Sequence, residues 1–127
     1  MSKFVTIKTE VKDREILEQT LTDLNYQFEK GQNLTVRGFM KERSDVGAEI
    51  VVRRETTGFL GDVGFARNGE RYDVLCDNMD ANKFMPKFKQ QYSRNKVVKE
   101  ATLKGYRIAS EEKQADGSVR VVMSRYC

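Results

Sequence analysis

The chain contains no histidine and no tryptophan, and it has a single proline and only two cysteines. Without histidine there is no Ser-His-Asp triad, no Cys-His pair and no imidazole metal ligand. Two cysteines, Cys76 and Cys127, are too few for a four-cysteine zinc or iron–sulfur site within one chain. No apolar run approaches the ~18 residues of a membrane span. One proline and nine glycines in 127 residues argue against a linker-rich or low-complexity chain. What is present, 39% hydrophobic and 33% charged residues, is enough for a core and suits one domain over residues 1–127.

The opening Met1-Ser2-Lys3-Phe4-Val5-Thr6-Ile7 has neither the apolar core nor the cleavage site of a signal peptide. A cytoplasmic location with reduced thiols is therefore expected, with Cys127 exposed at the end of the chain. The net charge is +4, unevenly spread. Residues 80–127 hold eleven basic and five acidic side chains and carry the excess. Such a face attracts nucleic acid or an acidic protein, but lysines on an exposed helix also serve solubility alone.

Residues 3–9 alternate as a strand, with Val5 and Ile7 on one face. Asp13 suits an N-cap and Glu15 the first turn. Ile16, Leu17, Thr20, Leu21 and Leu24 then recur at helical spacing up to a stop at Asn25. Tyr26–Phe28 reads as a short strand, Lys30–Asn33 as a turn, Leu34–Phe39 as extended chain and Ala48–Arg53 as a central strand. Asn68-Gly69 marks a type I′ turn in a hairpin over 60–76, with Tyr72, Val74 and Cys76 on one face. A second helix is expected to start near Asp80 or Asn82, because Pro86 belongs in opening turns, and to end at Gly105. Phe84, Phe88, Tyr92, Val98 and Thr102 form its inner stripe. A hairpin of 106–110 and 118–126, turning near Asp116-Gly117, follows.

The expected fold is α+β: an antiparallel sheet packed by two helices. Two βαββ units, over 1–55 and 60–127, form a candidate internal repeat.

Gly58, Gly61 and Gly64 do not make a phosphate loop. No Gly-Lys-Ser/Thr follows, and a hairpin rather than a helix comes next. They are expected to allow a bend or bulge. Cys76 beside Asp77 lacks a base, and a neighbouring carboxylate raises a thiol pKa, so the thiol is read as structural. Asp62, Asp73, Asp77 and Asp80 lack the spacing of a calcium loop and are expected as surface charges, with no metal site. No catalytic set and no cofactor emerge, so an enzyme is not expected.

Two sets of cations remain. Arg37, Arg53 and Arg54 lie on two expected strands whose pairing would gather them, for a partner's carboxylate or phosphate or for Glu49, Glu55 or Asp62 of the chain itself. Lys83, Lys87 and Arg94 share a flank of the second helix away from the aromatic stripe, a candidate polyanion site. No base-reading set accompanies them, so only weak nucleic-acid binding is expected.

Several segments together resemble a known family. They are Phe4–Thr9, Val36-Arg37-Gly38-Phe39, Ile50-Val51-Val52-Arg53, Asp62-Val63-Gly64-Phe65, Asn68-Gly69, Tyr92 to Tyr106, and Asp116 to Val122. In this order they resemble an uncharacterised open-reading-frame family of cyanobacteria and red-algal plastids, a domain of unknown function. The second helix is richer in lysine than the family's, which suits a divergent or phage-borne member. The resemblance implies a cytosolic or stromal protein and no established catalytic residues. The functional expectation is a small non-enzymatic protein-binding or adaptor domain, with another protein as partner and no membrane. The alternative is a nucleic-acid-binding accessory protein using the basic helix.

Overall fold

The computed structural model describes residues 3–40, 42–113 and 119–125, with side chains as far as residue 105. Strand β1 (Phe4–Lys8) is followed by helix α1 (Arg14–Asp23), then β2 (Glu29–Leu34) and β3 (Ala48–Val52). A short α2 (Arg54–Thr57), strands β4 (Val63–Asn68) and β5 (Arg71–Asp77), the long α3 (Asn78–Leu103), and β6 (Tyr106–Lys113) with β7 (Val119–Arg125) complete the order. The first five strands form one antiparallel sheet in the order β1-β5-β4-β3-β2. The architecture is α+β, as expected, with α2 added. β6 and β7 pair in a separate sheet beside α3. The order βαββ thus occurs twice, but β2 and β3 lie in the large sheet while β6 and β7 do not. The turn near Asp116-Gly117 and Cys127 lie outside the described residues.

Each element follows local chemistry. Asp13 caps α1 by accepting from the Ile16 N–H at 3.1 Å. The helix ends where Asn25 turns to φ 64°, with Tyr26 N–H bonded to Leu21 O at 2.9 Å and Asn25 N–H to Thr22 O at 3.0 Å. Those two bonds are the Schellman pattern, with asparagine in the left-handed place. This corrects the strand expected at Tyr26–Phe28: the segment closes the helix and drops Tyr26 and Phe28 onto the core. The turn expected at Lys30–Asn33 is also corrected. Those residues belong to β2, where a register shift between Lys30 and Leu34 and Asn33 at φ 55° absorb the irregularity.

The β4–β5 hairpin turns one residue later than expected. Asn68 pairs with Arg71, leaving Gly69 and Glu70 in the loop. Of the two only Gly69, at φ 65°, takes a positive φ, which suits a type II′ turn. α3 begins at Asn78, not at Asp80 or Asn82, because Asp77 caps it by accepting from the Met79 N–H at 2.9 Å. Pro86 therefore lies inside the helix. Both Pro86 and Asn82, whose carbonyl loses its N–H partner to the proline, are exposed, so water can satisfy that oxygen.

α1 and α3 cover one face of the sheet. Ile16, Leu17 and Leu21 meet Phe84, Phe88 and Tyr92 over Ile50, Phe65, Val74 and Cys76. The ring centroids of Phe84 and Phe88, and of Phe88 and Phe65, lie 5.3 Å apart. Full burial of one such ring contributes roughly 1.5–3 kcal/mol. Val98 is half-buried and Thr102 exposed, so the inner stripe ends near Asn95. On the opposite face, Val36 joins Ala48, Val51, Ala66 and Leu75. There the described residues of the 36–44 loop, 36–40 and 42–44, are tied together through Gly38 N–H to Glu42 O (2.7 Å) and Ser44 N–H to Val36 O (2.9 Å).

Candidate functional site

The expected arginines do come together, but around a carboxylate rather than by strand pairing. Arg37 lies in an isolated bridge to Arg43, Arg53 is the N-cap residue of α2, and Arg54 is its first residue. Asp62, just before β4, is fully buried between them. It accepts from Arg37 Nε (2.9 Å), Arg37 Nη2 (3.1 Å) and Arg53 Nη1 (2.9 Å), and from the backbone N–H groups of Arg37 (3.0 Å) and Arg54 (2.9 Å). Its own N–H donates to Arg37 O at 2.6 Å.

Burial pushes the Asp62 carboxyl up, but the Arg37 guanidinium, the two N–H groups and Arg53 outweigh it and hold its pKa below the usual carboxylate value. Glu29, bonded to Arg53, and Glu55, bonded to Arg37, are lowered as well. Arg54 Nε reaches Glu55 at 3.1 Å. Three guanidiniums thus meet three carboxylates and the cluster is neutral. Arg53 spends its remaining donors on Glu29 Oε2 (2.9 Å) and Thr35 O (2.8 Å). The bonds converge on the base of the 36–44 loop and pin it to the sheet.

The other carboxylates correct the expectation of surface charges. Asp77 and Asp80 are buried, and only Asp73 is half-exposed. Asp80 accepts from the N–H groups of Leu60 (3.0 Å) and Gly61 (2.9 Å), locking the loop before β4 onto the start of α3. The glycines do not bend a strand either. Gly58, at φ 79°, ends α2, while a Cβ on Gly64 would stand 2.2 Å from Val36 Cγ2. Among the described residues no group of three metal-ligating side chains occurs. Cys76 is fully buried, and burial followed by Asp80 and Asp77 pushes its thiol up to about 12, so it is a poor nucleophile.

On α3, Lys83 and Lys87 are exposed, but Arg94 is half-buried and bonded to Asn95 Oδ1 at 3.3 Å. The expected cationic flank is therefore continuous only at its N-terminal end.

Two features escaped the sequence reading. β1 is an edge strand, and its hydrogen-bonding sides follow from its register. Asn78 N–H bonds to Lys3 O at 2.8 Å, so Lys3, Val5 and Ile7 face β5 and Phe4, Thr6 and Lys8 turn their backbone outward. The Phe4 N–H meets Glu42 Oε2 at 3.2 Å. Among the described residues the N–H groups of Thr6 and Lys8 meet nothing. The second feature is a cleft of about 380 Å³ between the end of β1 and α3, lined by residues from Lys8 to Val11 and from Met85 to Lys96. Neither leaves a signal in periodicity, since both depend on which strand ends up outermost.

A family model described as "Protein of unknown function (DUF1257)" matches residues 20–122. The chain is similar to three proteins each named "Uncharacterized protein ycf35". The one from Guillardia theta is 28% identical, and those from Pyropia yezoensis and Cyanophora paradoxa are 24% identical. Each alignment covers 99% of this chain and 98% of the relative. These sources are a cryptophyte, a red alga and a glaucophyte, as the resemblance to a plastid family implies. They lend nothing to a phage origin. No solved structure matches the chain. Among the described residues no helix is long and apolar enough to cross a membrane.

Proposed function

The chain belongs to the DUF1257 family of proteins of unknown function, and we propose that it is a non-enzymatic binding module that takes an extended segment of another protein along the outer edge of β1. The observation that carries this reading is the pair of outward N–H groups at Thr6 and Lys8, without partners among the described residues. An edge strand with free donors and acceptors is a template for a further strand. At the opposite edge, β2 is broken by a register shift, a common way of blunting an edge, whereas β1 pairs without one. The Asp62 cluster is scaffold in this reading, since its cations are already engaged. A stroma or the matching cyanobacterial cytoplasm is the location that goes with this reading, and the relatives from a red alga, a cryptophyte and a glaucophyte support it.

The test uses an edge-blocking variant. Proline is tolerated on an edge strand where its missing N–H faces solvent. Thr6→Pro should keep a cooperative urea transition and lose a protein that wild type and Thr6→Val both capture from a stromal extract. Capture that survives Thr6→Pro removes the edge as the site. The nucleic-acid reading takes its place if wild type binds RNA or DNA with a sub-micromolar Kd near physiological salt and Lys83→Glu with Lys87→Glu abolishes it. That affinity would exceed the ~10⁻⁴–10⁻⁶ M usual for non-specific contacts.

A further inference from the structure

The cleft beside β1 has an apolar floor and a cationic rim. Val11, Met85, Phe88 and Tyr92 line the floor, and all four are buried. Lys8, Lys89 and Lys96 stand around it, each exposed. None of the three has an ion-pair partner among the described residues, although other lysines of the chain do: Lys99 meets Asp13 at 2.8 Å and Lys30 meets Glu18 at 3.2 Å. Among the described residues the cleft has one carboxylate, Glu10, and it is bound by Arg71 at 2.7 Å. Lys89 and Lys96 are seven residues apart, two helical turns, so they stand on the same side of α3 with Ser93 between them.

A polar group on the floor points the same way. The Tyr92 hydroxyl accepts from the N–H groups of Lys12 (3.4 Å) and Asp13 (3.3 Å). Its own proton has no acceptor among the described residues. The hydroxyl is part-buried at the cleft, so its proton is left for solvent or for a ligand there.

We propose that this cleft is a binding site for a small amphipathic carboxylate, with its apolar body on Met85, Phe88 and Val11 and its anionic head among Lys8, Lys89 and Lys96. A cleft of about 380 Å³ falls within the usual range of small-ligand sites, roughly 300–1,000 Å³. A neutral apolar ligand would leave the cationic rim unmatched, and a cation would be repelled by it. A multiply charged, fully polar anion would leave the floor wet. The proposal is independent of the β1 edge, whose main-chain groups it does not use.

The experiment follows anilinonaphthalene sulfonate fluorescence on the intact protein, with decanoate and decyltrimethylammonium as competitors of equal chain length and opposite charge. Decanoate should displace the dye at least tenfold more effectively than the cation. Lys89→Glu with Lys96→Glu should cancel or reverse that preference. Ser93→Trp should abolish binding of both dye and decanoate by filling the cleft. All three positions are exposed, so each variant should keep the wild-type urea midpoint. Equal displacement by the two competitors, a preference unchanged by the lysine reversals, or no dye binding at millimolar concentration would each overturn the proposal.

Discussion

Asp62 and Arg37 are joined by four hydrogen bonds, two from the guanidinium, one from the Arg37 N–H and one returned by the Asp62 N–H to Arg37 O. The pair couples the 36–44 loop to the start of β4, and Arg53 ties β3 to the same carboxylate at 2.9 Å. Removing one partner of a buried pair is worse than never having it, because the other is left unmatched. Asp62→Asn should therefore cost ~3–5 kcal/mol in a urea titration. Glu55→Gln removes only an exposed partner and should leave the midpoint close to wild type. A nearly silent Asp62→Asn would mean the cluster does not hold the loop.

Acid should act through the same carboxylate. Its pKa is lowered on folding, so its contribution is complete above the unfolded value of ~3.9 and is lost as pH falls through the lower folded value. Asp13, Glu29 and Glu55 shift in the same direction. Stability measured from about pH 6 down to about pH 2 should fall, chiefly below about pH 4. Asp62→Asn should show a shallower fall than wild type. Parallel curves would assign the acid loss to other groups.

Phe88 sits between Phe65, Phe84 and Tyr92, with ring centroids 5.3, 5.3 and 5.8 Å away. Phe88→Ala should cost ~3–5 kcal/mol through lost burial and the cavity left behind. An unchanged urea midpoint would mean that the ring is exposed in solution and free to stack on a ligand.

Gly64 has no room for a side chain against Val36. Gly64→Ala should destabilise by about 1–3 kcal/mol, the usual range for overpacking. The double variant Gly64→Ala with Val36→Ala should recover part of that loss, because it removes the clashing methyl. Additive losses in the double-mutant cycle would show that the two sites do not touch.

Cys76 should resist thiol reagents. With its pKa pushed up to about 12, little thiolate forms at neutral pH, and the side chain is fully buried. Labelling at Cys76 should be slow in the native state and rise with urea in step with unfolding. Rapid native labelling at Cys76 would revive a reactive thiol.

The sequence by itself determined those elements whose signals are local. The Asp13 cap, the Ile16–Leu21 stripe, the Ala48–Val52 strand, the alternation of Tyr72, Val74 and Cys76 and the glycine after α3 each rest on neighbours a few residues apart. Periodicity and capping chemistry act over that range, so the α+β class, α1, the β4–β5 hairpin and the burial of Phe84, Phe88 and Tyr92 were legible. Tertiary structure decided what depends on distant partners. Tyr26 and Phe28 have strand-like side chains, but the reversal at Asn25 and the core beneath them turn them into packing groups. Asp62, Asp77 and Asp80 look like solvated charges in a list of residues. Asp62 is buried where two arginines and two backbone N–H groups converge on it. Asp80 is buried where the N–H groups of Leu60 and Gly61, about twenty positions away, reach it, and Asp77 where it caps α3 beside β1. The open edge of β1 and the lysine-rimmed cleft beside it depend likewise on the order β1-β5-β4-β3-β2, since a strand's free side exists only once its neighbours have been chosen.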